Sequence, residues 1–189
     1  MNKAIFFLIP LVILGILVIG GFGIYNGLVS AQEEAKTAWA QVENQFQRRA
    51  DLIPNLVETV KGYARLERSV LEEVTRLRSQ WGEARQSGDI NKSLQAAMGL
   101  EAGLGRLMVV VERYPELKSN QNFMKLQDQL EGTENRVSVE RRRYNQAVLN
   151  YNKKIRTFPG AFFAGPFGFE GMPLFEAEAG ARKASTVKF

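Results

Sequence analysis

Acid–base chemistry in this chain would fall to its carboxylates, 17 Glu and the three Asp residues Asp51, Asp89 and Asp128, because the 189 residues include no His and no Cys. That pair of absences excludes imidazole catalysis, thiol nucleophiles, disulfides and the usual zinc ligand sets. Di-metal sites in helical bundles draw on Glu-x-x-His pairs, which a chain without His cannot supply. Most of the Glu stand beside Lys or Arg, as they do on solvated helix faces. No catalytic constellation, metal site or cofactor site is legible. The expectation is a protein that is not an enzyme and carries no cofactor.

Two other groupings could act by contact. Between Arg136 and Arg156 there are seven Lys or Arg against the single acid Glu140. Arg141, Arg142 and Arg143 must point around a helix rather than at one spot. The plain reading is a solvated face pairing with Glu on neighbouring helices or copies. The functional reading is contact with lipid phosphates. A formal charge of +5 does not point to nucleic acid, and no nucleic-acid partner is expected. The second grouping is Thr157 to Phe175, with six Phe, four Gly and three Pro in 19 residues. Such a stretch cannot be a regular helix or strand. Phe158, Phe162, Phe163, Phe167 and Phe169 are too many to leave in water. They cap a helical core, dip into a bilayer interface, or form a subunit contact.

The elements that would position these groups begin with Ala4 to Ile24, 21 residues without a charged side chain. At about 1.5 Å per residue they span about 30 Å, the thickness of a bilayer core. Ala4, Ile5, Leu8, Leu14, Leu17 and Ile24 are assigned to this span. Gly15, Gly20 and Gly21 place small residues along it, either for close contact with another helix or simply because Gly is common in membrane helices. The apolar run exceeds the usual core of a cleaved signal peptide and the chain retains Met1, so a retained single-pass anchor is expected. Lys3 on one flank, against Lys36 offset by Glu33 and Glu34 on the other, favours a cytoplasmic N-terminus and an extracytoplasmic soluble domain.

Helical periodicity follows. Trp39, Val42, Phe46, Ile53, Val57, Val60 and Ala64 recur at steps of three, four and seven. The organising stretch, Ala38 to Glu67, contains Pro54. It reads as one kinked helix, or as two with Asp51 capping the second; the single kinked helix is favoured. Arg48 or Arg49, beside the apolar stripe, should pair with a carboxylate. A second helix carries Val70, Leu71, Val74, Leu77, Arg78 and Trp81, and Ser87-Gly88-Asp89 supplies a turn and a cap. A third runs from Leu94 to Val111. Its Gly99, Gly103 and Gly105 suit close packing on a neighbour, with a hinge as the alternative. After Tyr114-Pro115 a helix of about 40 residues follows the usual spacing, through Phe123, Leu126, Leu130, Thr133, Val137, Tyr144, Val148, Tyr151 and Ile155. The expected fold is all-α: a transmembrane helix (1–24), an antiparallel four-helix bundle (25–156) and a Phe/Gly/Pro-rich tail (157–189), with Trp39, Arg48, Arg49, Asp51, Pro54 and Tyr144 defining the bundle.

Several strings carry a resemblance. Tyr25-Asn26-Gly27-Leu28-Val29, the block Ala38–Glu67 with its core RRADLIPNLVETVKGYA, NQAVLNYNKKIRTFPGAFFAGPFGF over Asn145–Phe169, and the terminal Val187-Lys188-Phe189 resemble the LemA family. The match is looser from about Arg68 to Asn135. The resemblance implies a single-pass membrane protein with a helical-bundle domain and no enzymatic motif to transfer. It also implies a link to membrane-protein quality control, since family members are often encoded beside HtpX-type membrane proteases. The expected function is a membrane-anchored helical scaffold that assembles with its own copies or organises membrane partners. The alternative is an adaptor for such a protease. Expected partners are therefore the lipid bilayer, further copies in a homo-oligomer, and a membrane protease.

Overall fold

The computed structural model describes residues 3–62 and 68–175; for 3–10, 12–14, 16 and 17 it describes the backbone alone. The side chains of Ala4, Ile5, Leu8, Leu14 and Leu17, and everything at Ala64, Glu67 and Val187-Lys188-Phe189, lie outside the described residues. The chain is all-helical, with no strand among the described residues. The elements are α1 (Lys3–Lys61), α2 (Arg68–Gln86), α3 (Ile90–Val111), α4 (Pro115–Lys118), α5 (Gln121–Arg156) and α6 (Gly160–Ala164). They form two compact units, Met1–Ala38 with Tyr144–Leu174, and Trp39–Arg143 with Phe175–Phe189.

The organising stretch proves to be the second half of a longer helix. α1 is continuous from the apolar run and stops at Lys61, short of the expected Glu67. Pro54 does not end it. A proline has no N–H to offer the carbonyl four residues back, which here is Ala50. That buried carbonyl instead accepts from Arg78 Nε of α2 at 3.0 Å. Asp51 caps no second helix; its exposed carboxylate accepts from Gln47 at 2.7 Å.

In the unit containing α2 and α3, the apolar stripe of α1 is buried through Trp39, Val42, Phe46, Ile53, Val57 and Val60. Phe46 meets Trp81 of α2 at 5.4 Å between ring centres. α2 and α3 form an antiparallel hairpin. Gly88 makes the turn with φ of +68°, a conformation that glycine adopts without steric cost. Asp89 then caps α3 by accepting from the Asn91 and Lys92 amides at 2.9 and 3.2 Å. Close packing explains two of the three α3 glycines. A Cβ at Gly99 would touch Leu77, and one at Gly103 would overlap it, while Gly105 faces open space. α3 is also long and apolar enough to cross a membrane. Its Leu94, Ala97, Leu100, Leu104, Leu107 and Val111 are nevertheless buried in the core, which accounts for that apolarity.

The expected 40-residue final helix is broken. α4 is a single turn, and Asn120 starts α5 by accepting from the Asn122 and Phe123 amides at 2.9 and 3.1 Å. An Asx cap offers the backbone a local alternative to helix, so the pattern restarts there. All nine residues of the expected α5 stripe, Phe123 through Ile155, are buried.

Candidate membrane-facing site

The unit of Met1–Ala38 and Tyr144–Leu174 is built where α1 and the end of α5 run antiparallel. Leu28 and Ala31 of α1 pack on Tyr151 and Ile155 of α5 and on Ala164 of α6. Gln32 Nε2 donates to Tyr151 Oη at 3.5 Å, and Lys154 Nζ reaches the Gly27 carbonyl at 3.5 Å. After α5 the chain turns through Phe158-Pro159, a cis peptide, into α6. The close approach needs glycine at position 160. A Cβ there would land on the Lys154 carbonyl and touch Leu28.

Beyond α6 the chain runs back along α5 as an extended strap. Tyr151 Oη donates to the Glu170 carbonyl at 2.8 Å. Asn152 uses both ends of its amide, donating to the Met172 carbonyl at 2.8 Å and accepting the Met172 amide at 2.9 Å. Tyr144 Oη donates to the Pro173 carbonyl at 2.7 Å. An extended segment has no partners of its own, and these three side chains satisfy its backbone. Burial pushes both phenols to higher pKa. At Tyr151 the Glu170 charge adds to burial, while the Gln32 hydrogen bond opposes it.

The five phenylalanines divide. Phe163 and Phe169 pack against the core of this unit. Phe158, Phe162 and Phe167 are exposed at 89, 74 and 57%. Tyr25 meets Phe167 and Phe169 edge-on at 5.1 and 5.7 Å. A shallow apolar hollow of about 310 Å³ is lined by Val18, Gly21, Phe22, Tyr25, Phe163 and Phe167. Gly21 is the glycine that contacts the loop, 3.4 Å from Phe163 measured at an ideal Cβ; Gly15 and Gly20 face open space. Ile24 is half-buried on the edge of the core.

The remaining singled-out residues lie elsewhere. Trp39 and Arg49 are buried, Tyr144 is buried in the unit just described, and Arg48 and Pro54 are exposed. Arg49 pairs with Glu134, and Arg141 with Glu101. Arg49, Glu134 and Glu101 line a cleft of about 680 Å³ floored by Leu104, Met108, Phe123 and Leu130. Among the described residues, no cluster of three or more Asp or Glu is placed to hold a metal. Arg141 also lies over the Phe175 ring, 4.1 Å from its centre, and Phe175 stacks on Phe46.

Sequence reasoning missed Asn152 and Arg78. An asparagine on a polar helix face carries no distinguishing mark. Arg78 did: it is a cation inside an otherwise apolar register, one helix away from a proline.

A family model, the LemA family, matches residues 38–189. The chain belongs to the LemA family. The match includes the Phe-rich loop, and the string Tyr25–Val29 lies before it. Among curated relatives, the LemA-family chain is 29% identical to magnetosome protein MamQ 2 of Paramagnetospirillum magneticum, with 80% of this chain and 64% of that protein covered. It is 28% identical to magnetosome protein MamQ of Magnetospirillum gryphiswaldense, with the same shares covered. It is 23% identical to protein LemA of Metamycoplasma hominis, over 93% of this chain and 80% of that one. The chain thus spans about 64% of the length of the MamQ relatives it matches.

Proposed function

We propose that this protein is a single-pass, membrane-anchored helical scaffold that assembles with its own copies, and that its work is contact rather than catalysis. One observation carries the reading: α1 continues without a break from the apolar run 4–24 into the buried stripe beginning at Leu28. A helix of that kind holds one end in lipid, where its backbone is satisfied internally, and uses the other to organise a core. We take α1, α2, α3 and α5 as an antiparallel four-helix bundle. Contacts between consecutive helices support this, with Phe46 on Trp81 and Arg106 of α3 on Glu73 of α2 at 2.8 Å. Gly15 and Gly20, with open space beside them, leave α1 backbone free for a second anchor to approach. The MamQ relatives are named as magnetosome proteins and not for a reaction.

Size-exclusion with light scattering in mild detergent tests the assembly. A homo-oligomer is expected, and a strictly monomeric particle would overturn it. A photoreactive group at the exposed Ile19 identifies the neighbour in native membranes. Self-crosslinks are expected; crosslinks to an HtpX-type membrane protease would replace the scaffold with the adaptor reading.

A further inference from the structure

We infer that the loop from Phe158 to Phe167, together with the basic last turn of α5, is a second membrane contact that inserts its rings into the lipid surface and binds anionic headgroups. The inference rests on the anchor reading and adds a site to it. Position along α1 gives the depth. The apolar run ends at Ile24. Phe163 lies against Gly21, and each helical residue rises about 1.5 Å, so this ring sits about 4–5 Å inside the end of the span. Lys154 reaches the Gly27 carbonyl, about as far outside that end. The order is aromatic rings at the hydrocarbon edge and ammonium groups at the headgroup layer, which is several ångströms thick.

Charge and exposure name the occupant. Lys153, Lys154 and Arg156 are exposed, and the only acid from Leu149 to Leu174 is Glu170. Phe158 and Phe162 are among the most exposed large apolar side chains described. An isologous contact between two copies would bring like-charged patches together, whereas an anionic lipid surface complements them. Each basic side chain near such a surface is worth about a fivefold gain in binding.

The absence of cysteine permits a direct test. The full chain carrying Phe162→Cys is labelled with an environment-sensitive fluorophore and reconstituted into vesicles, either of phosphatidylcholine alone or with phosphatidylglycerol. The expected result is strong quenching by lipids bearing a nitroxide near the headgroup and weak quenching by aqueous iodide. The same label at the exposed Glu34, ten residues beyond Ile24 on α1 and so about 15 Å outside the span, should show the reverse. Phosphatidylglycerol should raise lipid quenching at position 162 severalfold, and the K153Q/K154Q/R156Q variant should lose that gain. Quenching by iodide alone would overturn the inference. So would a label shielded from both quenchers, with position 162 forming disulfide-linked dimers, since another copy would then cover the loop. Extraction in alkaline carbonate separates the two readings. A protein that stays in the vesicles with an iodide-accessible loop retains its anchor and loses this site, whereas one that washes out loses the anchor itself.

Discussion

At the scale of single residues, polar side chains repair backbone that the sequence leaves unpaired. Arg78 does so for the Ala50 carbonyl that Pro54 cannot reach. Arg78→Leu should therefore cost about 1–3 kcal/mol, the penalty for an unsatisfied buried carbonyl. Restoring an amide with Pro54→Ala should reduce that cost, and a double-mutant cycle on denaturant melts reads the coupling. Additive effects would show that Arg78 acts only through its packing. Tyr144 serves the strap in the same way, and its burial raises the phenol pKa. The unfolded phenol ionises near pH 10, so the folded state holds its proton more tightly. That stabilisation is complete below about pH 10 and is lost as pH rises toward the folded pKa. Tyr144→Phe removes a hydrogen bond worth about 1 kcal/mol at neutral pH. The stability gap between wild type and variant should narrow above pH 10, and a gap that is flat with pH would place the phenol in contact with water.

At the scale of elements, apolar periodicity told more than local punctuation. The nine-residue stripe of α5 is buried throughout, as its spacing predicts. The break at Asn120 was hidden because the stripe begins only beyond it, at Phe123, so no apolar register crosses the gap between α4 and α5 to show the interruption. At Pro54 the favoured reading of a single helix agrees with the continuous α1, but the donor that replaces its missing hydrogen bond comes from another helix, a partner that local spacing cannot reveal. The α3 glycines were legible as close packing only in part, because the neighbour, Leu77, reaches Gly99 and Gly103 but not Gly105. This gives a sign-reversing prediction. Gly103→Ala alone gains up to about 1 kcal/mol in helix propensity but meets Leu77, and overpacking costs about 1–3 kcal/mol. The net effect should be destabilising. In a Leu77→Ala background the clash is gone, and the same substitution should stabilise. Thermal melts of the four proteins decide it, and the same sign in both backgrounds would mean that Leu77 swings aside freely.

At the scale of the whole molecule, the all-helical class and the family were legible because both rest on long patterns, apolar periodicity and an extended string of residues. The candidate site was legible as a composition, five phenylalanines among glycines and prolines, but not as a geometry. Which rings pack and which stay exposed depends on where the loop meets α1, and that is a long-range contact with no local signal. Sidedness belongs to this scale as well. On one flank Lys3 adjoins the apolar run; on the other the nearest basic residue, Lys36, stands 12 residues beyond Ile24 and pairs with Glu33 at 2.8 Å. Positive charge is retained on the cytoplasmic side, so the helical units should lie outside. A single cysteine at the exposed Gln86 reports this in intact cells. A membrane-impermeant maleimide should label it before lysis, while a cysteine at Asn2 should react only afterwards. Labelling in the opposite order would put the units in the cytoplasm and place the basic turn of α5 against the inner leaflet.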